Sequence, residues 1–378
     1  MRNIGRSDGK SGRNQNIEML RGVAMLLILF YHYTQIIPGI MSTHWLQMID
    51  EGLCQMAMVL FFSISGFGSY IYLTKNENKG LLFYVKKRFC AIAPQYYFCL
   101  IVLLFTVSAN LLAWNQILKI GAFFALIQNL FVSTNTIING ATWTIALMMQ
   151  FYLIAPLIYK LVYKYGIRIY AIALVFTFFM RMLISVCLYK NNAEPFSYVV
   201  YSIRQIYTTV DIFIGGMLAG KSFVEQKKEF NILGCRLSFV LLFVGILLTF
   251  MMLIYTPVSN YVWGANIRSW LWPPILGIEV AFLLYICTGI KFKYQSIPGR
   301  FIQFIAKNEY GIYLWHMPLI SSLAANAPMY AGLLERNKYG LLIIMIILAI
   351  MIGKASNDLS NYIINHKQYV NNFSSGGK

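Results

Sequence analysis

Charge is scarce in this chain. Only 12% of its 378 residues are Asp, Glu, Lys or Arg, against about 25% in ordinary soluble domains. Acids are scarcer still, with 13 Asp and Glu against 31 Lys and Arg, a formal net charge of +18. A surplus of that size invites a nucleic-acid partner. The cations, however, gather in alternate loops between apolar runs rather than on one soluble face, so no nucleic acid is expected. The six cysteines (Cys54, Cys90, Cys99, Cys187, Cys235 and Cys287) include no CxxC pair and lie in or beside apolar runs. They read as small apolar residues rather than a disulfide framework or a thiolate metal site. No internal repeat of the kind built into many transporters is visible. No soluble domain is attached, so any chemistry falls to the apolar part.

What the chain does have is hydrophobic length. Hydrophobic residues make up 58% of it, mean hydropathy is +0.61, and several apolar runs approach the roughly 20 residues that span a bilayer as a helix. The expected fold is all-α, a polytopic membrane helix bundle of about ten spans. The spans fall near 17–37, 53–73, 89–109, 143–159, 167–189, a sixth ending at Gly220, 237–255, 270–290, 301–325 and 339–357. The first follows a basic leader, but no small-residue cleavage site comes before Pro38, so it reads as a retained span rather than a signal peptide. Basic loops follow spans 2, 4, 6 and 8, which places both termini in the cytoplasm by the positive-inside rule. Residues 117–133, apolar with Lys119 the one charge, read as a re-entrant or interfacial piece. The expected layout is a basic disordered tail over 1–15, a membrane domain over 16–358 and a polar cytoplasmic tail over 359–378.

Ionisable residues inside spans are costly and are functional candidates by default. Here they are His32, Arg181, Asp211, Glu279, Glu309 and His316, with Gln150 an uncharged polar addition. The stretch 16–35, NIEMLRGVAMLLILFYHYTQ, organises the rest. Arg21 and His32 stand eleven residues apart, which is roughly 16 Å along a helix and three turns plus about 20°, so they share a face. His32 suits general-base chemistry near neutral pH, and its bland alternative is a hydrogen-bonded packing histidine. In span 9, NEYGIYLWHMPLI, Glu309 and His316 are seven apart and share a face. Pro318 cannot donate its backbone bond, which leaves the Leu314 carbonyl free and predicts a kink beside His316. Two histidines without a third ligand at recognisable spacing make no metal site. Asp211 and Glu279 either orient a histidine or pair with Arg181. Ser65 in FFSISGFG, like Gly216 and Gly220, reads better as a small-residue helix contact than as a nucleophile. Lys86, Lys87 and Arg88, at the cytoplasmic start of span 3, are topology-setting cations or a phosphate clamp.

These residues also carry a family pattern. IEMLRGVAMLLILFYH resembles the opening of the integral-membrane acyltransferase family often called acyltransferase 3, whose hallmark is an arginine or lysine, ten residues, then a histidine. Glu18 stands where the family has an acid three residues before that arginine. FFSISGF (61–67), VKKRFCAIAP (85–94), WTIALMMQFYLIAPL (143–157), DIFIGGMLAG (211–220) and YGIYLWHMPLI (310–320) are similar to its later signatures, in the family's order. Met148 and Met149 replace a glutamate the family often has before the QFY, and Ala91 replaces a second arginine beyond Arg88. Some members carry a fused extracellular hydrolase-like domain, whereas this chain ends soon after span 10.

The resemblance implies an O-acyltransferase with acetyl-CoA, or another acyl-CoA, as co-substrate. The acceptor is then a hydroxyl of a surface polysaccharide or lipid-linked glycan outside a bacterial cytoplasmic membrane. In that scheme Arg21 holds CoA phosphate with Lys86, Lys87 and Arg88. His32 is general base or transient acyl carrier, and His316 completes the site. Glu18, Asp211, Glu279, Glu309, Trp143 and Gln150 support it. The rivals are another donor such as succinyl-CoA, a lipid or small-molecule acceptor, or a transporter or flippase with no covalent chemistry.

Overall fold

A computed structural model describes residues 14–37, 40–106, 112–134, 137–190, 204–225, 267–289, 295–325 and 337–375, with 240, 243 and 245 as isolated positions. Its regular elements are α-helices and short 3-10 turns: α1 (Gln15–Thr34), α2 (His44–Lys75), α3 (Leu81–Thr106), α4 (Ile117–Phe124), α5 (Trp143–Tyr165), α6 (Ile167–Lys190), α7 (Val210–Glu225), α8 (Ile267–Gly289), α9 (Ile297–Ala325) and α10 (Lys338–Ser375). Seven of them, α1, α2, α3, α5, α6, α8 and α10, are long and apolar enough to cross a bilayer. The chain is an all-α polytopic membrane bundle. Apart from 240, 243 and 245, the expected span at 237–255 lies outside the described residues, as do residues 1–13 of the expected tail over 1–15, whose Gln15 instead opens α1.

Local chemistry sets the helix ends. The Asn14 side chain accepts the Asn16 and Ile17 amides at 2.9 and 3.4 Å, and Glu18 sits in the first turn of α1. An acceptor and an acid there suit the unpaired amides of a helix N-terminus. α5 stops at Gly166, whose φ of +53° glycine adopts without strain. The eight residues of α4 cover only about 12 Å, too short to cross. α4 is followed by a 3-10 turn whose Gln128 and Asn129 are fully buried, so this turn packs into the bundle. α2 begins earlier than its apolar run, because Thr43 caps it by accepting the Leu46 amide at 3.3 Å. Its 32 residues reach about 48 Å, more than a bilayer core, so its first turns extend past the membrane. α10 likewise continues through Ser375, and most of the polar tail is helical.

Two glycine contacts pull the helices together. α2 lies along α7, where a Cβ on Gly66 would strike the Phe213 carbonyl and one on Gly216 the Ser63 carbonyl. Ser63 Oγ donates to the Ile212 carbonyl at 3.1 Å across the same seam. α9 lies between α1 and α10, with Gly311 against Gly353. Without a hydrophobic drive between helices in lipid, such close backbone approach is the main source of packing energy. Gly216→Ala is therefore expected to lower the thermal midpoint in detergent, since overpacking costs about 1–3 kcal/mol. Gly68→Ala, with nothing within 4 Å of its Cβ, is expected to leave the midpoint unchanged or raise it. Equal midpoints for the two variants would remove close backbone approach as the organising contact.

Candidate active site

The interface of α1 with α9 carries two polar rungs. On the first, Arg21 of α1 forms an ion pair with Glu309 of α9, whose side chains are 39% and 8% exposed. On the second, the rings of His32 and His316 stand 5.2 Å apart, centre to centre. The shared face of Arg21 and His32 meets the shared face of Glu309 and His316. Tyr31 lies edge-on to His32 at 5.1 Å, and Tyr313 packs on His316 at 5.2 Å.

The two histidines differ. His316 is fully buried, and its Nδ1 lies 2.6 Å from the Tyr313 carbonyl oxygen. A carbonyl only accepts, so Nδ1–H donates and the neutral ring keeps its lone pair on Nε2. That Nε2 is buried and has no hydrogen bond among the described residues. His32 is half-buried and is the more exposed of the two rings.

A segment between α4 and α5, 137–144, is tied down on this rung. Pro318 does release the Leu314 carbonyl, but that carbonyl is not free. It accepts the Asn139 amide at 2.9 Å and lies 3.7 Å from the Cys99 thiol. Tyr313 donates to the Ala141 carbonyl at 2.9 Å, and its hydroxyl lies 2.7 Å from Thr144 Oγ1. The backbone defect that proline makes is thus an anchor for this segment.

Arg204 completes the surroundings, and the spacing of sequence motifs had not indicated it. Its guanidinium lies 4.6 Å over the ring of Trp143, the first residue of α5. Burial pushes it down to about 10, with Tyr313, Tyr31 and Cys54 facing it, so it stays charged at neutral pH. The available signal was topological: a cation in a loop on the side that the positive-inside rule leaves poor in cations. On that same side Asp50, buried near the start of α2, bonds the Thr34 hydroxyl at the end of α1.

Other candidates lie elsewhere. Arg181 donates from Nε and Nη2 to the Thr208 carbonyl at 3.0 and 2.7 Å, and Asp211 acts on it electrostatically from beyond salt-bridge distance. Asp211 is buried near Gly277 of α8, and Glu279 packs beside Gly245; neither makes a contact with the histidines. Gln150 donates to Asn129 at 2.8 Å and so ties α5 to the turn Gln128–Leu130. Ser65 faces Tyr152 at 3.3 Å. At the start of α3, Arg88 sits among the rings of Tyr72, Tyr84 and Tyr152 at 5.0–5.6 Å, and Lys87 lies 5.2 Å over Tyr72. Lys86 lines a mainly apolar cleft of about 430 Å³ between α3, α5 and the link that follows α4. Glu18 stays in the first turn of α1. Among the described residues no three His, Cys, Asp or Glu side chains gather as a metal site would need.

Residues 14–355 match the sequence model of a family described as an acyltransferase domain. No curated protein and no solved structure matches the chain.

Proposed function

The chain belongs to the acyltransferase 3 family of membrane acyltransferases, and from that premise we propose that it moves an acetyl group from cytoplasmic acetyl-CoA to a hydroxyl of an extracytoplasmic glycan. A capsule, an exopolysaccharide or an O-antigen on a bacterial cell suits that acceptor. The observation that carries the reading is the pair of rungs on one helix interface. A solvent-reachable arginine stands at one level, and two histidines in ring contact stand at the other, roughly 16 Å further along α1. The span suits a donor with phosphates at one end and a thioester at the end of a long arm.

In this reading Arg21 takes a CoA phosphate, with Lys86, Lys87 and Arg88 adding charge on the same side of the membrane. His32, the more open ring, takes the proton of the acceptor hydroxyl as its oxygen attacks the thioester carbonyl. The C–O bond forms, the C–S bond breaks, and the thiolate leaves with that proton as CoA thiol. His316, fixed through Nδ1, positions His32. The same groups serve an acyl-His32 intermediate, and a burst of CoA release ahead of ester formation distinguishes that route.

The test is turnover. Protein in vesicles with labelled acetyl-CoA is expected to release CoA and to label the host's de-esterified surface polysaccharide. The NMR spectrum of that polysaccharide is expected to lose O-acetyl signals when the protein is absent from the host. Solute flux without any use of acyl-CoA would instead establish a transporter.

A further inference from the structure

We propose that Arg204 meets the negative charge that develops on the acyl carbonyl oxygen during transfer. This rests on the acyltransfer reading above and assigns a residue that the family signatures in this sequence do not include.

Four observations lead there. First, Arg204 is a cation in a confined place, with no ion pair among the described residues and a buried Nη1 that has no hydrogen bond. A desolvated charge without a counter-charge is unfavourable. The face of Trp143, 4.6 Å away, offsets only part of that. Second, the groups Arg204 faces are Tyr313, Tyr31 and Cys54, and the first two are the rings that flank His316 and His32. The cation therefore stands on the histidine rung rather than at the arginine–glutamate rung. Third, its mounting is rigid. The next residue, Gln205, donates to the Asn129 carbonyl of the turn Gln128–Leu130, and the 3-10 turn Ile206–Thr208 leads straight into α7. A preorganised donor at the site of developing charge is the most effective electrostatic device an acyl-transfer site can hold. Fourth, Asp50 and Glu51 stand near enough to act electrostatically on Tyr31 and Cys54 from the outer side. They disfavour an anionic acceptor as the resting partner of Arg204. A charge that exists only while the carbonyl is tetrahedral meets no such barrier on the way in.

The step balances without any added reagent. The acceptor oxygen bonds the carbonyl carbon as its proton passes to His32, and the carbonyl π pair moves onto oxygen beside Arg204. That pair then returns, the C–S bond breaks, and the thiolate takes the proton from His32.

The test compares Arg204→Gln and Arg204→Lys in vesicles. Acetyl-CoA serves as donor, with water, then de-esterified host polysaccharide, as acceptor. Arg204→Gln is expected to lower kcat by about 10²–10³-fold for both acceptors, with KM for acetyl-CoA changed less than about twofold. Arg204→Lys, which keeps the charge, is expected to recover at least about tenfold of that loss. Full kcat in Arg204→Gln overturns the proposal, as does a loss confined to KM for the polysaccharide. Equal loss in both variants with a lowered thermal midpoint makes Arg204 structural and also overturns it. A wild-type protein inert toward acetyl-CoA removes the acyltransfer reading itself, whereas an active wild type with a fully active Arg204→Gln removes this assignment alone.

Discussion

With His32 replaced by alanine, transfer from acetyl-CoA is expected to fall by about 10²–10⁴-fold, the range that a positioned general base supplies. The folded protein is expected to survive. His32 is half-buried, touches Tyr31 and His316 through ring contacts, and makes no hydrogen bond among the described residues. Removing its ring leaves no buried donor or acceptor stranded by its loss. His316→Ala has a different signature. Its fully buried ring leaves a cavity, and the Tyr313 carbonyl loses a partner, so both thermal midpoint and turnover drop. His32→Ala thus separates chemistry from stability where His316→Ala mixes them. The measurement is ester content of the surface polysaccharide by NMR, beside the amount of inserted protein. Normal ester content with His32→Ala inserted would sink the assignment of His32 as base.

Helices were legible from length and hydropathy alone, because a bilayer demands long apolar runs whatever the sequence detail. The early start of α2 was not. Asp50 and Glu51 precede the apolar run of the second span, and only the contact of Asp50 with Thr34 makes a helical, buried position for Asp50 understandable. Within the site, helical spacing put Arg21 with His32 and Glu309 with His316. Spacing cannot say which face meets which, so the ion pair and the ring contact across α1 and α9 belong to tertiary structure. The same limit hid the fate of the Leu314 carbonyl. Proline predicts its release, but the Asn139 amide that fills it lies 175 residues away in sequence. Asp211 and Glu279 illustrate the converse. An acid in a span is always conspicuous, and here both are buried in the α7–α8 region away from the histidines. Arg204 was missed because motif spacing draws attention to spans, while its place is a loop that only the folded bundle brings over the histidine rung.

The ion pair between Arg21 and Glu309 yields the second large effect, and the asymmetry of its burial sets the direction. Removing one partner of a buried pair costs about 3–5 kcal/mol when the other charge stays uncompensated in a low dielectric. Glu309 is 8% exposed, so Arg21→Ala strands a buried carboxylate and is expected to incur most of that cost. Arg21 is 39% exposed, so Glu309→Ala leaves a cation that water can reach, at about 1 kcal/mol or less. The double variant is expected to melt closer to wild type than Arg21→Ala does, because neither charge is stranded. Donor binding follows a different order. If Arg21 holds a CoA phosphate, KM for acetyl-CoA rises by roughly tenfold or more in Arg21→Ala and in the double variant alike, since a charge-assisted hydrogen bond is lost in both. Glu309→Ala keeps the cation and is expected to keep KM near wild type. A double variant with restored midpoint and wild-type KM would reduce Arg21 to a structural partner of Glu309. A restored midpoint with raised KM separates the two roles in one protein: the pair holds α1 to α9, and the exposed edge of the guanidinium holds the donor.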